Sequence, residues 1–212
     1  TPDSGPVLVV GLGNRAMTPD AVGPLAADSI LITRHLIDAM PQHFSGFRPV
    51  AALRPGVLGT TGVESAEAVR GLVDRLHPSA VIAVDALASR RVGRVCCTVQ
   101  FSDTGIIPGS GVGNHRSALN RETLGVPVLA VGVPTVVDAA TIVGDALEKL
   151  MSGEKEFDAV KYMGQHRMAF AELNNMYMTG KDIDSVIKRV SYTVSELSLI
   201  HISEPTRLLS IS

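Results

Sequence analysis

The chain has 212 residues, of which 45% are hydrophobic, 19% charged and 4% aromatic, with a formal net charge of −2. That is enough apolar content for one sizeable core. Interspersed charge of nearly zero sum excludes the basic footprint that nucleic acid or an anionic membrane surface requires. The longest apolar run, Val126 to Val137, is interrupted by Gly132 and Pro134 and is shorter than the roughly 18 residues of a spanning helix, so neither a membrane nor a nucleic-acid partner is expected.

In chain order, the first predicted strand is "PVLVVG" at 6–11, followed by an apolar stripe over Pro19 to Met40 that includes Val22, Leu25, Ala26, Ile30, Leu36 and Ile37. "RPVAAL" at 48–53 is the second strand. Thr61 and Glu64 then form a capping-box pair ahead of the helix "SAEAVRGLVDRL". "AVIAVD" at 80–85 is the third strand, "RVCCTVQF" at 94–101 the fourth and "VPVLAVGV" at 126–133 the fifth. The first, third and fifth are apolar without alternation, as in strands covered on both faces. Two successive βαβ units imply a three-layer α/β/α fold around a mostly parallel sheet. In the strand reading of 94–101, Cys96 and Cys97 point to opposite faces, as reduced thiols rather than a disulfide. "SDTGIIPGSGVGNHR" is a long glycine-rich loop of the kind that often carries function. "TVVDAATIVGDALEKL" begins a helix, and two further helices are expected at 158–178 and 181–197.

Gly11, Gly13 and Ala16 match the G-x-G-x-x-G/A dinucleotide spacing after a strand. Two requirements fail. Thr18 as N-cap and Pro19 as first helical residue delay the helix, so its amides do not meet a pyrophosphate. The second strand also lacks an acid at its end for a ribose hydroxyl. No cofactor is expected from this turn.

Two carboxylates stand out instead. Asp20 falls at a helix entrance, where the macrodipole alone accounts for an acid. Asp85 ends an apolar strand, at the edge where parallel α/β sheets place ligands; a carboxylate accepting hydrogen bonds from a neighbouring loop is the structural alternative. Both follow strands that deliver their loops to the same sheet edge, so the two acids are candidates for one crevice. The six histidines show no metal-binding spacing, with His115 the only one placed in the glycine-rich loop, and no metal is expected.

"VVGLGN", "TPDAVGPL", "TRHL", "RPVAALRPGVLGTTGVES", "VIAVDALASR", "SDTGIIPGSGVGNHR" and "LGVPVLAVGVPTVVDAATI" together resemble the spore germination protease family, almost continuously from Val7 to Lys188. The resemblance implies an aspartic-type endopeptidase that cleaves small acid-soluble spore proteins during germination, made as a zymogen, assembled as a homotetramer and located in the cytoplasm of the spore core. It implies the α/β/α architecture shared with hydrogenase maturation proteases. It maps the two essential aspartates onto Asp20 and Asp85, with no cofactor. Gly109, Gly111 and Gly113 are candidate substrate-binding positions. The family's cleavage after glutamate makes Arg90, beside Arg54 and Arg116, a candidate partner for that carboxylate. A metal-dependent maturation protease of the hydrogenase-processing type, or a non-catalytic fragment, is the alternative. Residues 1–197 are expected to form a single peptidase domain truncated at its N-terminus. The segment 198–212, "SLIHISEPTRLLSIS", resembles a translated sequencing adapter and is expected to be a non-native tail.

Overall fold

The computed structural model describes residues 5–44, 46–109, 117–151, 158–166, 168, 170–173 and 176–203, with side chains described to 196. Strand β1 (Val7–Gly11) is buried throughout. A 3-10 turn, Thr18–Asp20, leads into helix α1 (Val22–Ser29), and α2 (Arg34–Ala39) and α3 (Pro41–Phe44) follow. The apolar stripe predicted over Pro19 to Met40 is thus divided. The break falls where buried Thr33 donates its hydroxyl to Arg48 O at 2.6 Å and accepts from Val50 N at 2.9 Å, fastening the connection to β2 (Val50–Leu53).

Next come α4 (Leu58–Thr61), α5 (Ser65–Leu76) and the long strand β3 (Ala80–Ser89). The capping residue of α5 is Glu64, whose N–H donates to Glu67 at 3.0 Å; Thr61 closes α4 instead. Strand β4 (Gln100–Ser102), α6 (Arg121–Leu124), β5 (Val128–Asp138) and α7 (Ala139–Leu150) follow. Asp138 caps α7 by accepting from Ala140 N at 2.7 Å. Helix α8 (Ala159–Gln165), strand β6 (Tyr177–Met178) and α9 (Ile183–Ser203) end the described chain. The helix expected over 158–178 therefore becomes a short helix and a strand, because 177–178 pair with β5. The last helix continues past residue 197.

The sheet has the order β2-β1-β3-β5-β4, with β6 also on β5. β2, β1, β3 and β5 are mutually parallel, whereas β4 and β6 pair antiparallel with β5. Alternate strand residues feed two cores. Val7, Val9, Ile82, Val84, Val131 and Val133 pack against α1 and α9, while Leu8, Val10, Val81, Ala83 and Val128 pack against α5 and α6. This is the three-layer arrangement with a mostly parallel sheet that unbroken apolar strands require.

The strand expected at 94–101 forms only at its end. Val95 (φ −60, ψ 121) and Cys96 (φ 56) occupy the centre of a type II turn closed by Cys97 N–H donating to Arg94 O at 3.2 Å. Cys96 and Cys97 therefore sit on a turn, not on opposite faces of a strand. The local pattern was β-like, but Pro134 O takes Cys96 N at 2.6 Å and bends the segment before pairing begins at Gln100.

Candidate functional site

Helix α1 lies unusually close to the sheet, and glycines allow it. A Cβ on Gly11 would stand 2.2 Å from Gly23 O, and a Cβ on Gly23 would stand 2.2 Å from Leu12 O and 2.4 Å from Val84 O. Gly13 (φ +111) closes the turn after β1, and the space its side chain would fill is taken by Asp20 O at 2.2 Å. The glycines that mimic a dinucleotide turn therefore serve backbone contact: they let α1 and the Thr18–Asp20 turn close onto the end of β1 and the middle of β3 at Val84.

Asp20 is half-buried, and its Oδ2 accepts from Asn14 N at 2.7 Å. It stands in the 3-10 turn ahead of α1, not at the second position of a helix capped by Thr18: the residue before this turn is Met17, and no side-chain cap is made. Asp85, 5% exposed, accepts from Ala86 N at 2.9 Å through Oδ1. It sits at the register where β3 pairs with Gly132 of β5, one residue beyond the last β1 pair, Gly11 with Val84. Asp85 does not end its strand as expected but lies four residues before the end of β3, because pairing with β5 carries the strand on to Ser89; a carboxylate buried there is unfavourable without such donors.

Asp20 and Asp85 line one cavity of about 390 Å³ at the carboxyl edge of the parallel strands. Gly13, Met17 and Pro19 form one side; Ala86, Leu87 and Ala88 extend the β3 wall; Ile107, Pro108 and Gly109 come from the glycine-rich loop. Gly109 thus falls where expected, whereas Gly111, Gly113, His115 and Arg116 lie outside the described residues. Arg90 lines a second cavity with Arg91, Thr141, Asp145 and Glu148. Arg54 and Arg15 both pair with Asp28 on α1. Among the described residues, the ionisable side chains on the first cavity are Asp20, Asp85 and Tyr177. No group of three or more His, Cys, Asp or Glu side chains gathers in a metal-holding arrangement among them.

Sequence reasoning missed three contributors. Thr135 is the extra residue of a bulge in β5, opposite the Leu87–Ala88 step of β3, and its carbonyl accepts from Thr179 Oγ1 at 2.7 Å. Bulges recur beside active sites because they re-aim the strand. Tyr177 and Thr179 reach the cavity through β6, within a segment whose pattern reads as helix. Pro134, just before the bulge, was the available signal, since proline inside a buried strand marks an irregularity.

A mostly parallel open α/β sheet with two carboxyl groups lining a crevice at the carboxyl edge of its strands defines the class: an α/β protein of the kind that places ligands at that edge. The chain belongs to the germination protease family, whose family model matches residues 2–192. It is 47% identical over 205 residues to the germination protease of Caldanaerobacter subterraneus subsp. tengcongensis, covering 89% of this chain and 63% of that protein. It is 56% identical over 145 residues to that of Bacillus pumilus, covering 68% and 39%, and 43% identical over 210 residues to that of Clostridium perfringens, covering 92% and 65%. The chain thus spans from 39% to 65% of the length of these relatives. Among solved structures, the [NiFe] hydrogenase maturation protease HycI of Thermococcus kodakarensis KOD1 aligns over 92% of this chain and 94% of its own at 16% identity, with a TM-score of 0.45. That likeness is too distant to bear on the site.

Proposed function

We propose that the chain is the catalytic part of an endopeptidase acting on small acid-soluble spore proteins at germination, with Asp20 and Asp85 activating water. The observation that carries the reading is the convergence of these acids, 65 positions apart by their numbering, on one cavity of a germination protease family member. Two carboxyls in one crevice share a proton more readily than they carry two charges. The ionised one takes a proton from water as its oxygen adds to the scissile carbonyl carbon. The protonated one hydrogen-bonds the carbonyl oxygen and then delivers its proton to the departing amine. The C–N bond breaks, water supplies OH to the acid and H to the amine, and no acyl-enzyme forms.

Gly109, on the cavity wall, brings its backbone close to the substrate; Gly111 and Gly113, outside the described residues, are substrate-binding candidates from the resemblance alone. Arg90, expected as the partner of a glutamate preceding the scissile bond, lines the separate cavity with Asp145 and Glu148, and the glutamate-reading role is not assigned to it. The same reading includes synthesis as a zymogen, a homotetramer and residence in the spore core, and no bound cofactor. Among the described residues no helix is long and apolar enough to cross a membrane.

Incubation with a purified small acid-soluble spore protein, followed by mass mapping of fragments, tests the reading. Cleavage after glutamate is expected, abolished by Asp20→Asn and by Asp85→Asn alone, in proteins whose unfolding transitions match the parent. Near-normal cleavage by either single variant removes the acid pair. Loss of activity on exhaustive chelation, restored by a divalent ion, favours the metal-dependent alternative.

A further inference from the structure

The sheet is uneven at the carboxyl edge. β1 pairs with β3 only as far as Gly11 with Val84, with Leu12 N–H donating to Val84 O at 2.8 Å as the last rung. β3 continues to Ser89 and β5 to Asp138, still paired with each other. Among the described strands, none pairs with β3 beyond Val84 on the β1 side. Exposure changes at the same point: Val81 to Asp85 are buried, whereas Ala86, Leu87 and Ala88 are half-exposed and line the cavity of Asp20 and Asp85.

The direction of the free backbone groups follows from the last rung. In a strand, residues two apart point N–H and C=O to the same neighbour. Val84 faces β1, so Ala86 and Ala88 face the same, vacated side. In a continuing parallel ladder the carbonyl of Leu12 would take Ala86 N–H; here Asp85 Oδ1 takes it at 2.9 Å. What the edge then offers is the Ala86 carbonyl and the Ala88 N–H. A parallel partner fits that pair, because one of its residues donates to the first and accepts from the second. An antiparallel partner at Ala86 would need the N–H that Asp85 already holds.

We infer that the overhanging edge of β3 at Ala86–Ala88 binds the substrate main chain as an added parallel strand, taking the lane that β1 leaves. This rests on the peptidase reading above. β3 runs outward from Asp85, so the amino-terminal part of a parallel segment lies nearest the acids, and the edge takes residues that follow the scissile bond. One strand residue advances about 3.3 Å, so the bridging residue lies within a residue or two of the acids. The occupant is an extended peptide recognised by its backbone, with apolar side chains meeting the exposed Met17 and Ile107 on the cavity wall.

A peptide spanning a mapped cleavage site, N-methylated at one backbone amide at a time, provides the test. Binding to the full chain carrying Asp20→Asn is read by fluorescence anisotropy. One position after the scissile bond is expected to lose about fivefold in affinity, the loss of a single net hydrogen bond, while its immediate neighbours stay within about twofold. Ala88→Pro, which removes the edge's own donor to the carbonyl of the same peptide residue, should cost a similar loss with the unmethylated peptide, with the effect of methylation at that residue persisting on top of it. If that variant does not fold, the peptide series decides alone. A flat series, equal sensitivity at every position or no binding overturns edge pairing. A single sensitive position without cleavage by the parent chain sinks the peptidase reading and leaves edge pairing; cleavage with a flat series does the opposite.

Discussion

Replacing Gly23 by alanine should do far more harm than its single methyl suggests. The added Cβ would stand 2.2 Å from Leu12 O, 2.4 Å from Val84 O and 2.6 Å from Leu12 N. An ordinary contact is about 3.5 Å, so the helix and the two strands must part by roughly 1 Å. Backbone on these sides cannot rotate aside as a side chain would, which places the cost at the upper end of overpacking, about 3 kcal/mol. For a domain of this size that lowers the melting temperature by roughly 6 to 12 °C. Gly71 supplies the control: it is an exposed position of α5 with nothing within 4 Å of its would-be Cβ. There the same substitution removes only backbone entropy from the unfolded chain and should stabilise by about 0.5 to 1 kcal/mol. Opposite signs by thermal unfolding are expected. Peptidase activity of Gly23→Ala, measured well below its melting temperature, should also fall, since the helix carries the Asp20 turn with it. A Gly23→Ala protein as stable and as active as its parent would refute the close-contact account of how the two acids are brought together.

Thr33→Val is isosteric but strips the hydroxyl that serves Arg48 O and Val50 N, and the unpaired buried groups should cost about 2 kcal/mol, or roughly 4 to 8 °C in melting temperature. Burial, then the neighbouring Cys97 and Asp182, push the Cys96 thiol above its ordinary range, whereas Cys97 is exposed. Peptide mapping after limited alkylation between pH 8 and 9 should find Cys97 modified first; equal labelling counts against the turn geometry. The raised Cys96 value also has a stability sign. Its neutral thiol is favoured in the folded state, so folding loses stability as pH rises above the unfolded thiol's range, which unfolding measured between about pH 8 and 10 would detect.

The alternation of apolar runs and helical stretches determined a parallel α/β sheet by itself, since strands covered on both faces need unbroken apolar residues and leave that pattern locally. Asp85 at the end of "AVIAVD" and Asp20 just after the first strand were legible for the same reason: strand order places both at one sheet edge. What the sequence could not settle rests on pairing between distant residues. "RVCCTVQF" reads as a strand, yet Pro134 O captures Cys96 N and turns it; "MYM" lies in a helical pattern, yet β5 claims Tyr177 and Met178. The role of Gly11, Gly13 and Gly23 was equally hidden, because a glycine's spacing does not reveal which backbone occupies the place of its missing Cβ. Only the tertiary structure decided that β1 stops one rung below Asp85 while β3 continues, and that difference in strand length opens both the cavity and its unpaired edge.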